Sequence, residues 1–94
     1  MADKILVVDD DPQILEAVSL ALEAVGYDVI QKRSVKEGVA VLDSEAGEDL
    51  ALLVSDLQIG LASGLDLCAH ASRVRPHMPA IVITGHASVK TAVE

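Results

Sequence analysis

An α/β fold on a doubly wound parallel sheet is what this 94-residue chain predicts, on three observations. Short aliphatic runs alternate three times with stretches of helical periodicity. The connections between them are short, which, with right-handed crossovers, sets the strands side by side with helices on both faces. The hydrophobic residues, 51% of the chain, are almost all aliphatic, with no Trp, no Phe and one Tyr, as suits helices laid on a Val/Ile/Leu sheet.

Lys4 to Val8 is nearly continuous and rich in branched residues, the pattern of a strand covered on both faces. Asp11 followed by Pro12 reads as an N-cap and first helical position, and Ile14, Val18, Ala21, Leu22 and Val25 then recur at helical spacing until Gly26 stops the helix. Tyr27 to Gln31 is the second strand. Ser34-Val35-Lys36-Glu37 is a capping box opening a second helix with Val35, Val39, Leu42 and Ala46 on its apolar face and Gly47 at its end. Ala51 to Ser55 is the third strand. Ser63 or Gly64 opens a third helix running to about Arg73, and Pro79 leads into a fourth strand from Ala80 to Thr84. Ser88 reads as the cap of a fourth helix that begins at Val89 and runs to Glu94.

Composition narrows the function classes. A net charge of −8 disfavours a nucleic-acid surface on this segment. No apolar run approaches the roughly 18 residues of a membrane span, and Met1-Ala2-Asp3-Lys4 leads into the first strand without a signal-peptide pattern, so a cytoplasmic location is expected. The lone Cys68 sits in a helical pattern, where it reads as a buried thiol.

The chemistry is carried by carboxylates. Asp9, Asp10 and Asp11 close the first strand and Asp56 closes the third, so a parallel sheet brings them to one edge. In open sheets of this kind that edge holds the ligand site, and Thr84 falls there too. Like charges crowded together raise one another's proton affinity and cost free energy unless a cation neutralises them, which points to a divalent metal site. Alone, each of these residues has an ordinary reading, as a cap, a turn or a strand end; their joint placement at successive strand ends argues for function. Asp11 keeps the cap reading, as do Ser34, Ser63 and Ser88, while His70 and His77 are expected to be solvated and His86 to lie in the loop beside the site.

Ile5-Leu6-Val7-Val8-Asp9-Asp10-Asp11, Ser55-Asp56-Leu57 and Ile81-Val82-Ile83-Thr84-Gly85-His86-Ala87 resemble, in order and spacing, the receiver domain of two-component response regulators. The Thr84-Gly85-His86 stretch with Ala92-Val93-Glu94 is most similar to receivers of enhancer-binding transcription activators. The resemblance implies a flavodoxin-like sheet, here incomplete, with four strands, three helices and the start of a fourth. It implies a module that is not a turnover enzyme but accepts a phosphoryl group from a sensor histidine kinase onto Asp56. Mg²⁺ would be held by Asp9, Asp10, Asp56 and the main-chain carbonyl of Gln58, and Thr84 would be the hydroxyl that moves to the new phosphoryl oxygens.

The sequence departs from the family pattern in two places. Gly60 and Ser63-Gly64 stand where receivers usually carry a Pro and an Asp-Gly. The fifth strand with its phosphoryl-binding Lys is not seen, so residues 1–94 read as a receiver truncated at its C-terminal side, with the output domain outside the chain. Phosphotransfer is then expected to be impaired, Lys90 is not expected to replace the Lys, and the open edge of the fourth strand is expected to drive self-association. A degenerate receiver serving as a dimerisation or docking module is the alternative reading. An aspartyl-nucleophile phosphohydrolase is disfavoured by Gln58, since such enzymes usually place a second Asp two residues after the first.

Overall fold

The computed structural model describes residues 3–83 and, for the main chain, residues 91–93. Elements follow in the order β1 (Lys4–Val8), α1 (Pro12–Ala24), β2 (Asp28–Lys32), α2 (Val35–Asp43), a 3₁₀ turn (Glu45–Asp49), β3 (Leu50–Asp56), β4 (Gln58–Ile59), β5 (Ala62–Ser63), α3 (Gly64–Val74), β6 (Ala80–Ile83) and β7 (Thr91–Val93). The main sheet runs β2-β1-β3-β6-β7. Its first four strands pair in parallel, as the alternating pattern predicts, and β4 and β5 form a separate two-stranded hairpin.

Alternation along each strand divides the core. Leu6 and Val8 of β1, Leu53 of β3 and Val82 of β6 pack with Leu42 of α2 and Leu67, Cys68 and Ala71 of α3. Ile5, Val7 and Val54 project from the other face onto Leu15 of α1. Both faces of the sheet are therefore covered, which is why its strands read as unbroken aliphatic runs. Leu6, Leu42, Leu53 and Leu67 are fully buried, each contributing about 1.5–3 kcal/mol of transfer free energy.

The helix starts follow from local chemistry. The Asp11 carboxylate accepts from the Gln13 amide at 2.9 Å with Pro12 in the first turn, and the Ser34 hydroxyl accepts from Glu37 N–H at 3.1 Å. The Ser63 hydroxyl accepts from Leu65 N–H at 3.1 Å at the start of α3. Gly26, at φ +100°, closes α1 as expected.

Four expectations are corrected. On the core-facing stripe of α1 Leu15 and Ser19 are buried and Val18 and Leu22 partly buried, while Ile14, Ala21 and Val25 are exposed. Ser19 is tolerated in that stripe because its hydroxyl donates to the Leu15 carbonyl at 2.6 Å. The second helix ends at Asp43, not at Gly47, so Ala46 belongs to the 3₁₀ turn that follows. Thr91–Val93, expected to be helical, instead pairs antiparallel with β6 through Ile81↔Val93, Val82↔Ala92 and Ile83↔Thr91. The fourth strand's edge, expected to be open and to drive self-association, is thereby hydrogen-bonded along Ile81–Ile83. Ladder bonds to an edge that would otherwise lack partners are the physical reason for the change.

Candidate functional site

The carboxyl edge of the sheet gathers the acidic residues. Val8 pairs with Ser55, so the residues that follow them, Asp9 and Asp56, leave adjacent parallel strands side by side. Asp10 comes next in the turn leading to α1. One carboxylate oxygen from each of Asp9, Asp10 and Asp56 lies within 4.8 Å of the others. Three of the expected metal ligands are therefore brought together, from two separate stretches of chain.

Their environments differ. Asp9 is buried, Asp10 is exposed and Asp56 lies between. Burial pushes the Asp9 carboxyl above the ordinary aspartate range. The Asp11 amide, donating to Asp9 Oδ1 at 2.9 Å, partly opposes this, and the charges of Asp56, Asp10 and Asp11 reinforce it. A cation between the three groups would reverse the sign of that penalty. The site therefore fits a hard divalent ion, which prefers carboxylate and carbonyl oxygen.

Among the described residues, each carboxylate accepts from a main-chain amide. Asp11 N–H serves Asp9, and Leu57 N–H donates to Asp56 Oδ1 at 2.9 Å. Gly60 N–H donates to Asp10 Oδ2 at 3.0 Å across 50 residues of sequence. Asp10, Asp56, Leu57, Gln58 and Gly60 line a cleft of about 280 Å³.

Gln58, the fourth expected ligand, stands opposite Ser63 in the β4–β5 hairpin. The neighbouring ladder bond runs from Gly64 N–H to the Leu57 carbonyl at 2.7 Å. That makes Gln58–Ser63 a wide pair, whose own carbonyls turn away from the ladder. Gln58 therefore borders the cleft with its carbonyl outside the hairpin's bonding.

Thr84 lies outside the described residues, as do His86, Ser88 and Lys90. The residue before Thr84, Ile83, pairs with Asp56 and accepts from Leu57 N–H at 2.9 Å. His70, expected to be solvated, instead binds Asp43 Oδ1 through Nε2 at 2.8 Å and joins α3 to α2.

Three residues at or beside the site escaped the sequence reading of roles. Gly60 supplies an amide, and only its position in the loop could have hinted at it. Gly64 packs its α-carbon onto the Asp56 main chain, where a Cβ would overlap the carbonyl oxygen and come 2.7 Å from Ser55 Oγ. The Arg33 guanidinium reaches the Asp10 main-chain carbonyl at 3.4 Å, a cation beside the acidic turn that no motif announced.

The sequence model of the response regulator receiver domain matches residues 5–94. The chain is 39% identical over 89 residues to the transcriptional regulatory protein GlrR of Escherichia coli K12, covering 95% of this chain and 19% of that protein. It is 34% identical over 91 residues to the response regulator protein PilR of Pseudomonas aeruginosa, covering 97% and 20%. The chain thus spans about a fifth of the length of these regulators. Among solved structures, a CheY-like receiver domain protein from Methanospirillum hungatei superposes with a TM-score of 0.83 at 34% identity, covering 94% of this chain and 68% of that one. A response regulator from Burkholderia pseudomallei, with a phosphorylated aspartic acid, a calcium ion and citrate, superposes with a TM-score of 0.81 at 30% identity, covering 92% and 49%.

Proposed function

This chain belongs to the response regulator receiver domain family, the signalling module of two-component response regulators, and we propose that it accepts a phosphoryl group on Asp56. The observation that carries this reading is the convergence of Asp9, Asp10 and Asp56 within 4.8 Å at the carboxyl edge of the sheet. The phosphorylated aspartate and calcium ion of the Burkholderia pseudomallei relative lend it support.

The chemistry is a displacement at phosphorus. An Asp56 carboxylate oxygen forms the new P–O bond as the P–N bond to a kinase phosphohistidine breaks, and the imidazole leaves with the electron pair and takes a proton. The barrier is the approach of one anion to another. Asp9, Asp10, Asp56 and the Gln58 carbonyl would hold Mg²⁺, which would supply the positive charge that offsets this repulsion.

This chain's own groups do the positioning. Leu57 N–H, bonded to Asp56 Oδ1, fixes the carboxylate at the end of β3, and the buried Ser55 anchors the same strand end by donating to the Asp56 carbonyl at 2.9 Å. Thr84, next in sequence to the strand residue paired with Asp56, is the proposed hydroxyl partner of the phosphoryl oxygens. Its movement would convert roughly 1.5 to 2 added charges into a changed surface. The partner is a sensor histidine kinase, and the setting is the cytoplasmic receiver end of an enhancer-binding transcription activator.

The test is labelling from acetyl phosphate or a phosphorylated kinase. Expected is Mg²⁺-dependent label on the chain, stable in acid and labile in base, and lost in Asp56→Asn. Label that persists in that variant, or forms equally in EDTA, would overturn the reading.

A further inference from the structure

A cation stands beside the acidic edge without being part of the metal site. β2 lies on the far side of β1 from β3, so the end of β2 flanks Asp9 and Asp10 from the side opposite Asp56. The β1–β2 ladder runs up to the site itself, with Asp9 N–H donating to the Lys32 carbonyl at 3.2 Å. Arg33 follows directly. Its main-chain N–H donates to Glu37 Oε1 at 3.0 Å, which fastens the β2–α2 junction, and its guanidinium crosses to the Asp10 carbonyl through Nη2 at 3.4 Å.

That guanidinium is placed to act by its charge. A donor 3.4 Å from a neutral carbonyl is too long a bond to anchor the turn strongly. Among the described residues no carboxylate is in ion-pair contact with Arg33, so its charge is not neutralised by a partner. The side chain is exposed and stands one residue's width from the Asp10 carboxylate, within a Debye length of about 10 Å at 0.1 M salt. Lys32 and Lys36 share the junction with it, so three of the chain's seven Lys and Arg residues fall at this one place.

The reaction calls for such a charge. With Mg²⁺ bound, the three carboxylates would still leave one net negative charge, which opposes the approach of a phosphoryl dianion. We propose that Arg33 steers the phosphoryl donor: its guanidinium draws dianionic donors to the mouth of the cleft that holds Asp56, and at the same time loosens the hold of the carboxylates on the divalent ion. This rests on the reading of Asp56 as the phosphoryl acceptor and gives that site a preference for the more highly charged donor. The two effects have opposite signs, because one positive charge attracts the anionic donor and repels the cation. A residue that merely shaped the turn would help both.

Two donors and two substitutions separate charge from shape. Acetyl phosphate is a dianion at pH 7, whereas phosphoramidate carries one net charge fewer; Arg33→Gln removes the cation and Arg33→Lys keeps it. At saturating MgCl₂, the second-order rate constant for labelling of Arg33→Gln by acetyl phosphate should fall about three- to ten-fold, and that for phosphoramidate by about two-fold at most. Arg33→Lys should stay within about two-fold of wild type with both donors. Calorimetric titration with MgCl₂, which needs no donor, should show Arg33→Gln binding the ion about two- to five-fold more tightly than wild type.

Equal slowing with both donors, or Mg²⁺ affinity that is unchanged or weaker in Arg33→Gln, overturns the steering role and leaves the acceptor reading intact. A loss in Arg33→Lys as large as that in Arg33→Gln overturns it as well. A wild-type chain labelled by neither donor fails the reading of Asp56 itself and takes this inference with it.

Discussion

Gly64 and Asp56 touch through their main chains: the α-carbon that opens α3 lies so close to the Asp56 carbonyl that any side chain at position 64 would overlap it. The contact closes the β3–α3 loop onto the end of β3, and Gly64 N–H reinforces it by donating to the Leu57 carbonyl at 2.7 Å. Gly64→Ala should therefore displace the end of β3, costing about 1–3 kcal/mol by the usual scale of overpacking. Its larger effect should fall on chemistry, because misplacing Asp56 weakens metal binding and phosphoryl acceptance together. Urea unfolding alongside acetyl-phosphate labelling checks both, and a variant with wild-type labelling would remove this contact from the site's support.

Asp9 makes the metal-free domain sensitive to pH. Its folded-state pKa is raised, chiefly by burial, so the folded protein retains a proton that the unfolded chain has already released. Stability of the metal-free form should then fall as pH rises from the ordinary aspartate range through the raised folded value, and level off above it. Asp9→Asn should remove that slope and make the metal-free protein more stable than wild type at neutral pH. The Asn side-chain oxygen still accepts from the Asp11 amide, so the turn survives. Thermal unfolding in EDTA from pH 4 to 8 measures the effect, and an unchanged slope in the variant would refute it.

The legible parts of the sequence are those where one local rule acts alone. Asp11-Pro12, Ser34 with Glu37, and Ser63 marked helix starts because each cap is a bond within three residues. Asp9, Asp10 and Asp56 could be placed together because strand ends in a parallel sheet share an edge. Where two rules compete the reading shifted: the expected apolar stripe of α1 did not include Ser19, whose buried hydroxyl is satisfied by the Leu15 carbonyl. Thr91–Val93 carried a helical signal, but an unpaired strand edge outweighs the propensity of a short segment. Nonlocal bonds left no trace in spacing. The Gly60 amide on Asp10, the Arg33 guanidinium on the Asp10 carbonyl and the His70–Asp43 pair each depend on tertiary approach across more than 20 residues.

Arg75 closes the open end of α2. Its Nη2 donates to the Leu42 carbonyl at 3.0 Å and to the Ser44 carbonyl at 3.3 Å, satisfying groups that a helix leaves without intrahelical partners. Arg75→Ala should cost about 1–2 kcal/mol, on the scale of charged hydrogen bonds. Arg75→Lys should recover only part, because the lysine ammonium ends one bond short of the Nη2 position from which a single nitrogen serves both carbonyls. The site lies at the opposite end of β3, so Mg²⁺ affinity should be unchanged in both variants. A loss of affinity matching the loss of stability would show that the two ends of the domain are coupled.

Magnesium should stabilise the fold through the same three carboxylates whose crowding burdens the metal-free form. A ligand that binds only the folded state adds about 1.4 kcal/mol when its free concentration is ten times the dissociation constant. For a chain of this length that corresponds to roughly 6–11 °C in the unfolding midpoint. The shift should be reversed by EDTA and abolished in Asp10→Ala, which removes a ligand and the acceptor of the Gly60 amide at once. Sodium chloride at equal ionic strength should not reproduce it, because screening acts on all exposed charges alike and does not replace an ion bound between Asp9, Asp10 and Asp56. An equal midpoint shift from sodium chloride would mean that the acidic edge is relieved by general screening, and the case for a specific ion there would fail.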